Sequence, residues 1–362
     1  MKNMPISPGS FTDQLSIHIT KTKLIQQGQH IMIAVSGGSD SMALLYAMIT
    51  LQKKMDLILS VGHVNHNLRE SASSDEEFVK SICKKSGIKF YSEHLNPSEV
   101  KFESGLEEWA RTERYKSLQY LRKKIKANLI ATAHHGNDQV ETILFRLARG
   151  TGVMGLSGIM SNYDNIIRPF LPFPKITIMD YVVHEDIPFL EDETNTDLSR
   201  PRNFIRHRVV KNWEIDTPGL TKNFYRMSQH SDELFQSVNE LINPIIEIIV
   251  KRVSESVIHI SKPELDKYSV YLRILIINNA ISGKIKARWR LGQWEKAKKF
   301  ISSSKTGSMH ILPNNWIILN DRENWIIRRS LPQISRPIIV KLDQDIDVDG
   351  FTLSVKRSDE EK

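Results

Sequence analysis

Cysteine is almost absent from this chain, since Cys83 is the one cysteine among 362 residues. A single thiol excludes an internal disulfide framework and any Cys-x-x-Cys pair for redox chemistry, thiolation or zinc. Cys83 lies in a predicted helix beside Phe78, Val79 and Ile82. That setting favours a buried structural thiol over a reactive one.

Long apolar runs and a strong charge of one sign are missing too. No stretch reaches the roughly 18 apolar residues of a membrane span, and residues 1–10 lack the pattern of a secretion signal. We therefore expect a cytoplasmic protein with no membrane partner. The 50 Lys and Arg residues outnumber the 42 Asp and Glu residues, for a net charge of +8. This mild basic excess suits an anionic partner without proving one.

The most informative segment that is present is Ser36-Gly37-Gly38-Ser39-Asp40-Ser41, which directly follows the apolar residues 31–35. A short apolar run that ends in Ser-Gly-Gly predicts a buried strand entering a tight turn, and apolar residues at helical spacing follow it. Glycines let a backbone approach an anion, and the free N–H groups of a helix start point at it. No Gly-Lys-Ser/Thr ending follows, so this is not the ordinary mononucleotide P-loop.

Strand and helix patterns alternate before residue 150. Strands are predicted over 31–35, 57–64, 89–95 and 128–133, and helices over 12–28, 41–55, 73–85, 105–124 and 137–149. This order predicts an α/β fold with a parallel sheet and helices on both faces. Helices are then predicted over 176–186, 203–213 and much of 221–300, and strands over 316–319 and 325–328. We expect three domains: an α/β domain over 1–215, a helical domain over 216–303 and a β-rich region over 304–362.

Polar clusters follow three of the four predicted strands, at Ser36–Ser41, 63–69 and 132–141. Ligands of such sheets lie beyond the carboxyl ends of the strands, so we expect one site at this edge. His63 and His134 are candidates for nucleotide contacts. Zinc is an alternative, but the paired, spaced Cys and His ligands that it favours are missing.

Two carboxylates come at the start of the helix after the fourth strand. Asn137 is a suitable N-cap, which puts Asp138 in the first turn and Glu141 on the same face. Helix capping alone explains Asp138 well. Together with Asp40, these carboxylates could instead hold Mg²⁺ or an ammonium group.

The clusters, in this order, resemble the tRNA(Ile)-lysidine synthetase family of the ATP-pyrophosphatase (PP-loop) superfamily. The resemblance is strong from about residue 30 to 210, looser to about 328, and lost beyond 330. The matching segments are Ser36–Ser41; His63-Val64-Asn65-His66 with Leu68-Arg69, Ser71 and Asp75-Glu76; Glu107 with Ala110-Arg111 and Arg114-Tyr115; Thr132-Ala133-His134-His135 with Asp138-Gln139 and Glu141-Thr142; Arg146-Leu147, Arg149-Gly150 and Gly155-Leu156; Arg168-Pro169; Glu191-Asp192 with Asn195; and Arg202-Asn203 with Arg206-His207.

The resemblance implies a ligase that uses ATP and Mg²⁺. ATP would adenylate the carbonyl oxygen at carbon 2 of the wobble cytidine in tRNA(Ile) with a CAU anticodon, and the side-chain amine of free lysine would then displace AMP from carbon 2 to give lysidine. The first domain would then be the ATP-pyrophosphatase catalytic domain, and the second would bind tRNA.

The roles that we expect follow from this chemistry. Ser36, Gly37, Gly38, Ser39, Asp40 and Ser41 would bind the nucleotide phosphates, with His63 and His134 as further nucleotide contacts. Asp40 is the first choice for Mg²⁺, with Asp138 assisting, and Asp138 or Glu141 would bind the lysine. Arg111 would contact the phosphate of the adenylated intermediate. Basic side chains would track tRNA phosphates, or else form a solvated helix surface: Arg202, Arg206, Arg208, Lys211, Lys286 and Arg288.

Two alternatives stay open: another PP-loop ligase that modifies tRNA or forms amides, and a non-catalytic RNA-binding protein. The single cysteine argues against a thiolase. The sequence leaves open the tRNA identity elements, whether the protein is a homodimer, the role of residues 330–362 and whether the chain is truncated.

Overall fold

The structure is a computed structural model that describes residues 8–67, 72–97, 106–191, 201–282, 289–329, 345–348 and 351–354. Two compact units make up the chain, Met1–Ile245 with Ser282–Glu295 and Ile246–Ile281 with Lys296–Lys362. The predicted three-domain division stays a prediction. Within the described ranges, no helix is both long and apolar enough to cross a membrane.

The first unit is built on a six-stranded sheet. From one edge to the other its strands are β3 (Lys89–His94), β2 (Ile58–Asn65), β1 (His30–Ala34), β4 (Leu129–Ala131), β6 (Ile166–Ile167) and β5 (Asn162–Tyr163). Every neighbouring pair is parallel except β5 with β6. The predicted α/β fold with a mostly parallel sheet is therefore confirmed.

Helices cover both faces of this sheet. The described helices between residues 8 and 249 are α1 (Pro8–Lys21), α2 (Ser39–Gln52), α3 (Ala72–Lys85), α4 (Leu106–Lys124), α5 (Gly136–Ala148), α6 (Lys175–His184), α7 (Pro201–Phe204), α8 (Lys211–Asp216) and α9 (Leu220–Ile249), with a 3-10 helix at Val153–Ser157 and a π-helix at Ile205–Val210. Side chains of β1 alternate between the two faces, because Ile31 and Ile33 pack with α2 whereas Met32 packs against α4. This double burial explains why the strand reads as a continuous apolar run.

The helix predicted over 12–28 ends earlier, at Lys21. Its buried face consists of Phe11, Leu15 and Ile19, spaced four residues apart as one helical stripe requires. Lys23 then adopts a positive φ of 51°, which the α-helix does not allow, and the chain turns toward β1.

The second unit contains a five-stranded antiparallel sheet. Its order is β7 (Val250–Ser254), β8 (Val257–Ser261), β11 (Asn324–Arg329), β10 (Trp316–Asn320) and β9 (Met309–Leu312). The remaining elements are α10 (Lys262–Leu265), α11 (Val270–Ser282), α12 (Leu291–Ser303) and the hairpin β12 (Asp345–Val348) and β13 (Phe351–Ser354). The predicted β-rich C-terminal region is confirmed by these strands.

The helices predicted through 221–300 are interrupted by the β7–β8 hairpin, which corrects that prediction. Val257–Ser261 alternates, with Ile258 and Ile260 buried and the residues between them half-buried. This period of two marks a strand with one buried face, and β-branched residues favour it over a helix.

Candidate active site

The Ser36–Ser41 turn connects β1 to α2, as the sequence predicts. Gly37 has a φ of 96°, which favours glycine, and a Cβ there would lie 3.0 Å from Leu190 Cδ1. Leu190 also donates its backbone N–H to the Gly37 carbonyl at 2.9 Å. A distant segment thus holds the turn in its left-handed conformation.

The hydroxyl of Ser41 fixes the turn from inside. It accepts the Ser36 N–H at 3.2 Å and donates to the Gly38 carbonyl at 2.9 Å. Helix α2 starts at Ser39, and its N-cap Gly38 provides no side-chain hydrogen bond. The first amides of a helix have no partner within the helix, so this turn presents donors and a positive dipole end to an anion.

A cavity of about 1200 Å³ opens at the carboxyl ends of the strands. Most of the candidate site residues predicted from the sequence line this cavity, although these residues come from four separate segments of the chain. The lining includes Ser36, Gly38, Ser39, Asp40, Ser41, His63, His134, Asp138, Glu141, Arg206 and Lys211.

Lys175, at the start of α6, is a cavity residue that sequence reasoning missed. Its ammonium donates to Asp40 Oδ1 at 2.5 Å and to Ser39 Oγ at 3.1 Å. Burial alone would raise the pKa of Asp40, but His135 and Lys175 outweigh burial and hold that pKa below its ordinary value. The carboxylate at the turn is therefore ionised and already faces one fixed cation.

His135 stands between the two aspartates. Its Nε2 lies 3.6 Å from Asp40 Oδ2 and 3.5 Å from Asp138 Oδ2. Burial alone would lower the pKa of His135, but Asp138 and Asp40 outweigh it, so the pKa is raised. Burial would likewise raise the pKa of Asp138, yet His135 and Arg202 hold it well below its ordinary range.

The N-cap of α5 is His135, not Asn137, which corrects the prediction. The His135 ring accepts the Asp138 N–H at 3.4 Å, and the Asp138 carboxylate accepts the His135 N–H at 3.0 Å. Asn137 instead accepts the Lys175 N–H at 2.7 Å and donates to Glu214 at 2.8 Å. These long-range bonds decide which polar residue caps the helix, and Asp138 remains in the first turn as predicted.

Glu141 is buried and held by two arginines. Arg206 donates to it through Nε at 2.7 Å and Nη2 at 3.1 Å, and Arg202 donates through Nε at 3.0 Å. Arg202 also reaches Asp138 Oδ1 at 3.2 Å. Arg206 lies in the π-helix Ile205–Val210, a distortion that often occurs at functional sites. The structure thus places two predicted tRNA-binding residues on the carboxylates.

The two candidate histidines are neutral near pH 7. Burial lowers the pKa of His63, whose Nδ1 lies 2.8 Å from the Val35 carbonyl. Burial likewise lowers the pKa of His134 to about 3, and its Nδ1 lies 3.0 Å from Thr132 Oγ1. Both rings can serve as uncharged hydrogen-bonding groups in the cavity wall.

Helix α4 contributes a basic and aromatic wall. The guanidinium carbons of Arg111 and Arg114 lie 5.3 Å and 5.4 Å from the centre of the Tyr115 ring. Burial alone would raise the pKa of Tyr115, but Arg111, Arg114 and Arg168 outweigh it and lower that pKa. Arg114 and Tyr115 line the cavity, whereas the exposed Arg111 is not among its lining residues.

Comparisons with known proteins agree with this geometry. The PP-loop domain family matches residues 11–213, more than half of the chain. The tRNA(Ile)-lysidine synthase of Chlorobaculum tepidum is 36% identical over 231 residues, which cover 63% of this chain and 70% of that protein. The chain belongs to the PP-loop tRNA(Ile)-lysidine synthase family.

Other members of the family are longer than the matched region. The tRNA(Ile)-lysidine synthase of Thermotoga sp. (strain RQ2) is 37% identical over 226 residues, which cover 62% of this chain and 55% of that protein. The chain thus spans about half the length of this curated relative.

One solved structure shows the same fold. The U34-tRNA thiolase NcsA from Methanococcus maripaludis superposes with a TM-score of 0.53 at 16% sequence identity, over 62% of this chain and 79% of that one. At this identity the likeness concerns the fold alone.

For a PP-loop protein, the donor set of the cavity fits Mg²⁺ that arrives with a nucleotide. Within the described ranges, no group of three or more His, Cys, Asp or Glu side chains is arranged to hold a metal ion. Mg²⁺ usually takes only one or two carboxylates and completes its shell with phosphate and water oxygens. Asp40 and Asp138 provide two carboxylates close to each other, since an oxygen of each lies within 3.6 Å of His135 Nε2. Asp40 fits better, because 32% of its side chain is exposed to the cavity and solvent, against 13% for Asp138.

The remaining predicted tRNA contacts of this family member lie in different places. Lys211 is exposed and lines the cavity, and Arg208 is exposed on the π-helix. Lys286 and Arg288 lie outside the described residues, as do the resembling positions within 68–71 and 192–200.

Proposed function

We propose that this protein ligates free lysine to carbon 2 of the wobble cytidine in tRNA(Ile) with a CAU anticodon, converting ATP to AMP and pyrophosphate. One observation carries the proposal: a single cavity joins the phosphate-binding turn to two ionised or buried carboxylates, in a chain of the tRNA(Ile)-lysidine synthase family. The turn serves the nucleotide, and the carboxylates serve the amine.

In the first step, the carbonyl oxygen on carbon 2 attacks the α-phosphorus of ATP, and the bond from that phosphorus to the oxygen bridging to the β-phosphate breaks. The Ser36–Ser41 amides and Lys175 would hold the leaving pyrophosphate, since they form the cationic end of the cavity. Asp40 and Asp138 would hold Mg²⁺, which neutralises phosphate charge when bound. Fixed donors of this kind stabilise charge as it develops.

In the second step, the lysine side-chain amine attacks carbon 2, and the bond from that carbon to the AMP oxygen breaks. The amine arrives as an ammonium with a pKa of about 10.4, and it has to give up a proton, to water or to a carboxylate of the cavity, before it attacks. Asp138 is ionised because its pKa is held well below the ordinary range, so it can bind the ammonium. Glu141 also lines the cavity and is the second candidate carboxylate for binding the amine.

Glu141 binds Arg202 and Arg206 in this structure, so lysine binding there requires an exchange of partners. Both arginine side chains are 35% exposed, whereas Glu141 is 1% exposed. The arginines can therefore turn outward to a phosphate while Glu141 stays in place. Such an exchange would give Arg202 and Arg206 the tRNA contacts that the sequence predicts, and would couple tRNA binding to the lysine site.

The neutral His63 and His134 rings are suited to the uncharged parts of the nucleotide. Arg114 lines the cavity and joins Arg111 as a candidate for the phosphate of the adenylated intermediate. We place the reaction in the cytoplasm, where tRNA, ATP and free lysine occur together.

The direct test incubates the protein with Mg²⁺, ATP, labelled lysine and tRNA transcripts. We expect label in tRNA(Ile) with a CAU anticodon and none in elongator tRNA(Met), which shares that anticodon. Omission of ATP should abolish incorporation, and AMP should form in equal amount with the labelled tRNA.

Two results would contradict the proposal. Absence of label with lysine, together with modification by glutamine or a sulfur donor, would assign the protein to another PP-loop reaction. Binding of tRNA without any ATP cleavage would assign it to a non-catalytic RNA-binding role.

A further inference from the structure

The glycine-rich segment 150–159, which follows α5, has no part in the catalytic cavity described above. None of its residues lines that cavity, although the segment includes the 3-10 helix Val153–Ser157 and four glycines. A segment of this composition is able to form a mobile flap. Its hydrogen bonds instead fix it to α5, the helix that carries Asp138 and Glu141.

Gln139 makes the innermost of these connections. Its side chain is fully buried, and its amide Nε2 donates to the Ser157 carbonyl at 3.3 Å. The Oε1 of the same amide accepts the Ile159 N–H at 2.5 Å. One side chain thus pairs with a backbone acceptor and a backbone donor of the same turn, and removal of the amide would leave both without that partner.

Arg146 holds the same turn farther along the helix. Its Nη1 donates to the Gly155 carbonyl at 3.2 Å and to the Gly158 carbonyl at 2.6 Å. Arg146 follows Gln139 by seven residues, about two helical turns, so both side chains leave α5 on the same side. Glycine suits position 158, because a Cβ there would lie 2.5 Å from Gln139 Oε1. We call Gln139, Arg146 and the turn 155–159 the loop clamp.

The loop clamp and the carboxylates lie on different sides of α5. Glu141 follows Gln139 by two residues, which turns it about 200° around the helix axis, so it points away from the clamp. The start of the helix is fixed separately, because His135 caps it and Asn137 accepts the Lys175 N–H. The loop clamp therefore supports α5 from behind, where neither the cap nor the ion pairs of the cavity reach.

The far side of the segment is bonded to later parts of the first unit. The Leu291 N–H, at the start of α12, donates to the Gly150 carbonyl at 3.2 Å. The Ser231 hydroxyl of α9 donates to the Val153 carbonyl at 3.5 Å. The position of α5 thus depends on contacts that lie outside the cavity.

We propose that Gln139 and Arg146 are positioning residues for the second step, because they hold α5 where Asp138 and Glu141 meet the lysine amine. A displacement of about 1 Å in a reacting group can cost about a hundredfold in rate. The part played by lysine rests on the proposed function, whereas the clamp itself rests on the hydrogen bonds above. The Ser36–Ser41 turn starts a different helix, so the nucleotide should respond less than lysine.

The first test replaces Gln139 by leucine, which keeps the size of the side chain and removes both hydrogen bonds. We expect the KM for lysine to rise about tenfold and the KM for ATP to stay within about twofold of the wild type. The control is Gln119→Leu on α4, since Gln119 donates to the Asp164 carbonyl at 2.6 Å and does not line the cavity. It should change neither constant. A lower kcat with both KM values unchanged would indicate fewer folded molecules and would overturn the proposal.

Hydrogen exchange examines the clamp without catalysis. In Gln139→Leu the Ile159 N–H loses its acceptor, so its exchange should become about tenfold faster or more. Gln119→Leu should leave that amide as protected as in the wild type. Equal protection of Ile159 in Gln139→Leu and the wild type would show that Gln139 does not hold the turn, and the inference would be wrong.

A double variant shows whether the two residues act through one turn. Loss of either Gln139 or Arg146 frees the same turn, so the effects should overlap. We expect the KM for lysine of Gln139→Leu with Arg146→Met to stay within about twofold of the larger single effect. Single effects that multiply in the double variant would contradict a shared clamp.

Failure of this inference differs from failure of the proposed function. A wild type that forms lysidine, with a Gln139→Leu variant that matches Gln119→Leu in the KM for lysine, overturns the positioning role alone. A wild type that incorporates no lysine overturns the proposed function and this role together.

Discussion

The catalytic cavity and the surface of the second unit hold their cations in opposite ways. In the cavity, Lys175 contacts Asp40, and Arg202 and Arg206 contact Glu141. On the second unit, the exposed Lys296, Lys299 and Lys305 form no ion pair with the residues that the structure describes. Burial explains the difference, because a buried charge is costly unless it is paired, whereas an exposed lysine keeps its hydration.

This difference has a consequence for ligand binding. A ligand in the cavity has to replace or rearrange existing ion pairs, so recognition there depends on a few residues with large individual effects. An exposed lysine without a fixed partner interacts through solvent, so the effect of removing its charge is small for each residue and depends on salt. Substitutions in the two regions should therefore differ in size, with the largest effects at buried or paired groups of the first unit.

Replacement of Asp40 by asparagine should have the largest effect. The change keeps the size of the side chain but removes the charge that faces Lys175 and His135. We expect lysidine formation to fall by at least about a hundredfold, the usual cost of one such contact in a desolvated site. Labelled-lysine incorporation measures the rate. The matched control is Asp13→Asn, at an exposed position of α1. A wild-type rate in Asp40→Asn would contradict the prediction, because a charge in the cavity would then matter no more than one on the surface.

Gly136→Ala should destabilise the first unit by about 3 kcal/mol, because the new Cβ would lie 2.1 Å from Thr221 Cγ2 and 3.0 Å from the Phe173 carbonyl. The matched control is Gly292→Ala in α12, where no atom lies within 4 Å of the new Cβ. Alanine there should stabilise by about 0.5 kcal/mol or more, through helix propensity. Urea unfolding measures both changes, and equal effects at the two sites would contradict the close packing around α5.

Stability should fall between pH 6.5 and pH 4 because of His18. Burial lowers the pKa of His18 to about 4, and its Nε2 has no hydrogen-bond partner among the described residues. The unfolded chain therefore binds a proton in this range that the folded chain refuses, so stability is lost as pH falls. Between pH 7.5 and pH 5 the loss from this group should be about 2 kcal/mol.

His18→Phe should remove that part of the pH dependence, as measured by urea unfolding at the two pH values. The exposed His230→Phe variant serves as the control. An unchanged pH slope in His18→Phe would show that another group causes it.

Lys175→Gln should give the smallest effect, on nucleotide affinity. Its ammonium contacts Ser39 and Asp40 at the turn, so we expect the KM for ATP to rise about tenfold while the KM for tRNA stays near the wild-type value. The control Lys124→Gln, at an exposed position of α4, should change neither constant. Equal changes in both constants for Lys175→Gln would indicate a folding defect.

Much of the fold is predictable from sequence because local patterns decide it. The period of the apolar residues locates the strands of the first sheet, and the carboxyl ends of parallel strands bring Ser36–Ser41, His63 and Asp138 to one edge. The β7–β8 hairpin was harder to predict from the sequence, because its two strands have only five residues each and interrupt a long helical pattern.

The partners of the site residues could not be predicted in the same way. Lys175 meets Asp40 across 135 residues of sequence, and no local pattern marks that contact. The capping role of His135 likewise follows from the distant Lys175 and Glu214, which bind Asn137 and leave the N-cap to the imidazole.

The central claim is that the Ser36–Ser41 turn grips the two outer phosphates of ATP. A crystal soaked with Mg²⁺ and a non-hydrolysable ATP analogue tests it most directly. We predict density for the β- and γ-phosphates against the amides of the turn, with the α-phosphate pointing toward Asp138 and Glu141. Phosphates bound elsewhere in the cavity, with the turn amides facing only protein, would contradict the account.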